Sequence, residues 1–148
     1  MMANASLSKS MMPPTARWMG MDLIEHDLER KYTKVSFDPP EEMKNFNGVI
    51  QGGFLCAMMD DTMGLNCFLA LNMEMAQATI DLHTHFYKAV PLGPTTVEAW
   101  VIRAGKSVAF LEAKLYDQNG DLAARATSSS KLRPFREIQN TSGDTKDG

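Results

Sequence analysis

The stretch Asn45–Leu71 reads NFNGVIQGGFLCAMMDDTMGLNCFLAL, and its reading decides the fold. Asn47-Gly48 is a dipeptide that favours a tight bend. Gly52-Gly53 follows, and glycine lets another group approach the backbone closely. From Phe54 to Leu71 the run is apolar on nearly every side and lacks the charged stripe of a surface helix. It is therefore expected to be one long, buried helix. Asp60, Asp61 and Asn66 argue against a membrane span, because two adjacent carboxylates are costly in hydrocarbon.

Those two aspartates need a reason, since a buried carboxylate must be hydrogen-bonded, paired or protonated. Helix neighbours point about 100° apart, so Asp60 and Asp61 do not share one task. On one reading, one caps a nearby loop and the other meets solvent. On the other, one is a catalytic base or nucleophile, because perturbed carboxylates gather at functional sites.

Working outward, 148 residues with 44% hydrophobic content fit one compact domain with a substantial core. A net charge of -3 leaves no basic footprint for nucleic acid. The first sixteen residues hold four methionines and Pro13-Pro14 but no continuous apolar segment, unlike a secretory signal. Cys56 and Cys67 lie eleven residues apart on the helix. That is roughly 16 Å along its axis and beyond disulfide reach. Reduced core cysteines suit a cytoplasmic protein.

Residues 1–16 are expected to form a flexible leader, 17–134 the single domain, and 135–148 a flexible polar tail. Arg17–Asp27 and Lys31–Phe37 read as two strands, the second ended by Pro39-Pro40. Glu41–Lys44 suits one helical turn. After the long helix, residues 76–89 alternate, with Ile80, Leu82, Thr84 and Phe86 on one face. Thr79, Asp81, His83, His85 and Tyr87 take the other. Three strands follow, at 95–104, 108–117 and 122–132, joined at Gly105-Lys106 and at Asp117–Gly120. An all-apolar helix is satisfied on every face only if the sheet curls round it. The expectation is an α+β fold in which a curved antiparallel sheet, ending in a four-strand meander, wraps one long central helix.

Several constellations carry no chemistry. Ala104-Gly105-Lys106-Ser107 echoes a phosphate loop, but Trp100 stands where that motif needs its first glycine. Asp81, His83 and His85 share a strand face, yet same-face neighbours lie nearly 7 Å apart and three in a row rarely meet at one ion. No metal site is expected. There is no Gly-x-Ser-x-Gly elbow, and neither cysteine has an electropositive sequence neighbour.

What remains is Asn45, Gln51, Gly52 and Gly53 with Asp60. The pattern N-x-x-G-x-x-Q-G-G-x-x-x-x-M-x-D resembles the signature of hotdog-fold acyl-CoA thioesterases, in the PaaI-like branch of phenylacetic acid degradation. The similarity runs from about Arg17 to Pro134 and includes Thr79-Ile80-Asp81 and the run GKSVAF at 105–110. The resemblance implies a hotdog fold and hydrolysis of a medium-chain or aryl acyl-CoA. It implies that Asp60 activates water or attacks the thioester, and that the N–H of Gly52 or Gly53 binds the carbonyl oxygen. Asn45 would assist, and the Thr79 hydroxyl would orient the water. Gln51 stands where members often carry histidine, and glutamine donates a hydrogen bond but no proton. Gln51, Lys106 and Ser107 are the expected substrate contacts, together with Met59 and Met63, whose flexible thioethers suit varied acyl shapes. The substrate is the coenzyme A ester, and no cofactor is expected.

The residue chemistry agrees. Two glycines opening a helix expose N–H groups at its positive end, which suits a developing oxyanion. A carboxylate beside them serves as base or nucleophile. Yet Asp60 lies eight residues beyond Gly52, about 12 Å along the axis. That is too far to act on a carbonyl held at the same helix's start. The site closes if Asp60 of one subunit meets Gly52 and Asn45 of another, as in a homodimer with antiparallel helices and two equal sites, or a dimer of dimers. The competing readings are a non-catalytic acyl-CoA binder on this fold and, ranked last, a dehydratase or hydratase, whose usual histidine loop is missing.

Overall fold

The structure, a computed structural model, describes residues 12–143. Its elements are α1 (Pro14–Trp18), β1 (Asp22–Asp27), β2 (Tyr32–Phe37), a 3₁₀ turn at Glu41–Met43, α2 (Gly52–Ala70), β3 (Met75–Phe86), β4 (Thr95–Ala104), β5 (Val108–Tyr116), β6 (Leu122–Pro134) and α3 (Phe135–Gly143). One six-stranded antiparallel sheet, in the order β1-β2-β4-β5-β6-β3, curves round α2. This is the expected architecture. Among the described residues no helix is long and apolar enough to cross a membrane.

Three expectations are corrected. The first strand starts at Asp22 rather than Arg17, because residues 14–18 form α1. Pro14 opens that helix at a position where its missing N–H is no loss, and Ala16 and Met12 of the expected leader are buried in the core. The expected tail begins with the helix α3, whose Phe135 ring packs 4.9 Å from Phe68 of α2. The four-strand meander is realised only in β4–β6, since β3 pairs with β6 at the far edge and β4 pairs with β2. The chain between β3 and β4 carries Pro91, Gly93 and Pro94, and meets the residues just before α2 rather than turning a hairpin. There Ile50 N–H donates to Val90 O at 2.9 Å, and Val49 bridges Pro91.

Helix α2 buries Leu55, Met58, Met59, Thr62, Met63, Asn66, Cys67 and Leu69 against the sheet. These meet Val35, Phe37, Val97, Ala99, Leu111 and Leu115 in a single core. The rest of the helix is not sealed as expected. Ala57, Asp60, Asp61, Gly64 and Leu65 are only half-buried, and Gly53 is exposed. The helix therefore presents one open face with two carboxylates on it.

Candidate active site

A β-bulge builds the site. Strand β3 pairs Thr79 with Ser130 but Asp81 with Ser129, leaving Ile80 as the extra residue. The alternation therefore changes sense at Ile80. Gln77 and Thr79 face α2 before it, and Thr84 and Phe86 face α2 after it. Four contacts follow along one helix stripe. Phe86 lies against Gly52, the Cys56 thiol donates to Thr84 Oγ1 at 3.4 Å, the Thr79 hydroxyl donates to Asp60 Oδ1 at 2.8 Å, and Gln77 lies against Gly64. Thr79 was expected on the face of Asp81, His83 and His85, and the bulge takes it off that face. Asp81 stays outside and accepts from Ser129 N–H at 3.0 Å. The Ser129 hydroxyl and N–H hold the Asp81 carboxyl below its ordinary pKa. The His83 and His85 rings pack edge to face at 4.7 Å, and no group of three metal-ligating side chains occurs among the described residues.

The two helix carboxylates are sorted by their surroundings. Asp60 has the Thr79 hydroxyl as its donor. Asp61 Oδ2 is buried and without a partner among the described residues. Burial first, and then the charge of Asp60, push the Asp61 carboxyl up to about 6.

The glycine end is assembled by local hydrogen bonds. Asn45 Oδ1 accepts from Asn47 N–H at 2.9 Å and Val49 N–H at 3.4 Å, while Asn45 N–H donates to Val49 O at 2.8 Å. The Asn45 amide oxygen thus shapes the 45–49 loop. Gln51 N–H donates to Met43 O at 2.9 Å, and its carbonyl accepts from Phe54 N–H at 3.0 Å and Leu55 N–H at 3.3 Å. The N–H groups of Gly52 and Gly53 precede Phe54, the first N–H to donate to the Gln51 carbonyl, and have no partner in the helix. A Cβ on Gly52 would sit 3.2 Å from the Phe86 ring, whereas one on Gly53 would meet nothing within 4 Å. Gly52 is glycine for close approach, and the space beside Gly53 is open. The Gln51 side chain is exposed and does not cap the helix.

Within one chain, then, Asp60 and Thr79 come together, and Asn45, Gln51, Gly52 and Gly53 come together, but the two groups stay about a helix half-length apart. Lys106 and Ser107 are exposed in the β4–β5 turn, where Gly105 N–H donates to Val108 O at 2.8 Å. Met59 and Met63 lie on the sheet-facing side of α2. Both are 0% exposed and pack in the core of this chain. Sequence reasoning missed Gln77, whose amide oxygen lies 3.5 Å from the Thr79 hydroxyl. The only signal for it was its place two residues before Thr79.

The Thioesterase superfamily model matches residues 47–124, a span that runs from the glycine loop into β6. A Saccharolobus solfataricus protein, an esterase by name only, is 33% identical over 109 residues, covering 74% of this chain and 77% of its own. The chain belongs to the Thioesterase superfamily. It is accordingly a hydrolase of the thioesterase class. A Ralstonia eutropha JMP134 superfamily structure, described as phenylacetic acid degradation-related and by name only a thioesterase, superposes with a TM-score of 0.77. It is 27% identical, with 81% of this chain and 90% of that one covered. The E. coli PaaI protein, from the phenylacetic acid degradation operon, shares the fold at a TM-score of 0.74 and 20% identity, covering 82% of this chain and 85% of that one. The hotdog resemblance stands.

Proposed function

We propose that this thioesterase hydrolyses a medium-chain or aryl acyl-CoA to the free acid and coenzyme A, with Asp60 as the general base or nucleophile. The observation that carries this reading is the 2.8 Å bond from Thr79 to Asp60 on the half-open face of α2. Ionised Asp60 takes a proton from a water that Thr79 helps orient, and the resulting hydroxide attacks the thioester carbonyl. As nucleophile, Asp60 would instead attack directly and be released by water from the anhydride. The oxyanion forms against the N–H groups of Gly52 and Gly53 at the positive end of α2. Collapse expels the coenzyme A thiolate, to which the Gln51 amide donates a hydrogen bond.

These groups meet across a subunit boundary. The eight-residue offset keeps Asp60 about 12 Å from Gly52 of its own helix. Antiparallel packing of two α2 helices brings Asp60 of one chain to Gly52 and Asn45 of the next, and does so twice. Two features suit that arrangement. The open helix face carries the small residue Ala57, and β3 is a sheet edge whose outer backbone groups are free to pair. The same reading places the protein in the cytoplasm as a homodimer or dimer of dimers, with Lys106 and Ser107 at the coenzyme A end.

The test is thiol release from a panel of straight-chain and aryl acyl-CoA esters. Turnover of at least one ester by wild type, lost in Asp60→Asn, is the expected result. Tight binding of an ester with no turnover would instead make the protein a non-catalytic binder.

A further inference from the structure

We propose that Gln77 is a positioning residue for this hydrolysis, acting on Asp60 through Thr79, and that Gly64 is glycine to make room for it. This rests on the assignment of Asp60 above. Thr79 has one hydroxyl proton, and at 2.8 Å Asp60 Oδ1 takes it. The Thr79 oxygen is then left with lone pairs only. Among the described residues the other side-chain group beside it is the Gln77 amide, whose oxygen lies 3.5 Å away. The two ends of an amide are interchangeable in shape, and the end that satisfies a lone pair is the NH₂. Gln77 therefore turns its N–H to Thr79, and the chain runs from Gln77 N–H to Thr79 Oγ1 and from Thr79 O–H to Asp60. Each donor polarises the next, so the Thr79 proton is held on the carboxylate more firmly than by an isolated hydroxyl.

Gly64 fits this arrangement. It stands on α2 one turn beyond Asp60, and a Cβ there would lie 3.0 Å from the Gln77 amide. Glycine is unfavourable inside a helix relative to alanine, so a helical glycine in contact with a polar side chain calls for a reason. Here it leaves the amide a seat against the helix backbone. The bulge at Ile80 supplies the other half, since it keeps Gln77 and Thr79 facing the helix while Asp81 faces away.

The experiment is a double-mutant cycle on the acyl-CoA ester that wild type hydrolyses best. Gln77→Met keeps length and apolar bulk and removes both polar ends. Gln77→Glu keeps the shape and removes the donor. Both are expected to lower kcat about fivefold with KM within twofold, as loss of one neutral hydrogen bond in the transition state does. In a Thr79→Ala background, Gln77→Met should cost no further kcat, because its route to Asp60 is gone. Full additivity with Thr79→Ala, a loss confined to KM, or wild-type kcat in Gln77→Glu would each overturn the proposal. Asp60→Asn run alongside separates the two levels. If Asp60→Asn keeps wild-type kcat, the proposed function fails. If Asp60→Asn is inactive while the Gln77 and Thr79 effects simply add, only the role of Gln77 fails.

Discussion

Helix α2 sends a polar side chain to a strand threonine on each of two flanks. On one, Thr33 of β2 donates to Asn66 Oδ1 at 2.9 Å. On the other, Thr79 of β3 donates to Asp60 Oδ1 at 2.8 Å. Each threonine also has a third polar neighbour. His26 Nδ1 lies 2.9 Å from Thr33, and Gln77 lies 3.5 Å from Thr79. The geometry is nearly the same, but the burial is opposite. Thr33 and Asn66 are 0% exposed, while Thr79 is exposed and Asp60 half-buried. Because Thr33 gives its proton to Asn66, His26 must give it the Nδ1 proton, which also faces Tyr32 O at 3.0 Å. Nε2 then carries the lone pair, and neither it nor Asn66 Nδ2 has a partner among the described residues. A sealed network of this kind joins β1, β2 and α2 and has no access to a substrate. The Asp60 network differs chiefly in having one side open, and that is what a reaction needs.

The largest effect should separate the flanks outright. Asp60→Asn is expected to lower kcat roughly a hundredfold or more, as loss of a general base does, with little change in melting temperature. Asp61→Asn should lower kcat far less, because Asp61 Oδ2 is turned into the protein. Steady-state thiol release from the two purified variants decides it. Equal losses, or a greater loss in Asp61→Asn, would defeat the assignment of Asp60.

Next in size is subunit complementation. Asp60→Ala damages the carboxylate end of a site and Asn45→Ala the glycine end, through the loop that Asn45 Oδ1 shapes. If each site takes one end from each chain, a mixed dimer holds one doubly damaged site and one intact site. Random pairing of equal amounts makes half the dimers mixed, so recovery should approach roughly one quarter of wild-type activity. Mass measurement confirms that heterodimers formed. Heterodimers without recovery would place both ends in one chain and break the shared site.

These two flanks were unequally legible in the sequence. The helix, the glycine turn and the strand alternation were readable because they are local patterns, and Asp60 stood out as a charge in an apolar run. Thr79 was placed with Asp60 only through the family resemblance. The simple alternation sent it to the opposite face, and nothing in Ala78–Asp81 announces a bulge, since Ile80 continues the pattern of Leu82 and Thr84. The sealed flank was not readable. His26, Thr33 and Asn66 lie on three elements, with Thr33 and Asn66 33 positions apart, and a threonine in a strand or an asparagine in a helix has no fixed partner. Sheet order was missed for the same reason, because pairing β3 with β6 is a property of the closed sheet. Helix α1 has only an ambiguous signal, since Pro13-Pro14 fits a helix start as well as a leader.

On the sealed flank the expected effect is on stability. Asn66→Ala removes the acceptor of a fully buried hydroxyl and is expected to destabilise the fold by about 2 kcal/mol. The surviving folded enzyme should keep kcat within about twofold, because the change lies across the helix from Asp60. Denaturant melts and kinetics on the same sample test both halves. A stable but inactive Asn66→Ala would mean that the flanks are coupled through α2, and that the sealed network also serves the reaction.

The smallest effect is a pair of opposed pH slopes. Burial lowers the pKa of His26 from its ordinary 6.5, an effect only partly offset by Tyr32 O and the charge of Asp27. Folded protein therefore binds fewer protons than unfolded protein below that value. The contribution of His26 is complete above pH 6.5 and is lost as pH falls. Asp61 has the opposite sign. Its carboxyl rises from 3.8 to about 6, so the folded state holds the extra proton and stability is lost as pH rises through that window. In wild type the two slopes oppose each other where these windows overlap, below about pH 6. Single substitutions should expose each one. Asp61→Asn leaves the histidine slope, so its melting temperature should rise with pH across the window. His26→Asn keeps an N–H near the Nδ1 position but cannot titrate, so its melting temperature should fall with rising pH. Each change should be a few degrees, roughly 2–4 °C per kcal/mol for a chain of this size. Thermal melts at constant ionic strength would show it. Parallel slopes in the two variants would mean that at least one of these groups does not titrate from the burial seen in the single chain. For Asp61, on the open face of α2, the natural reason would be a partner that reaches its buried oxygen when subunits pair.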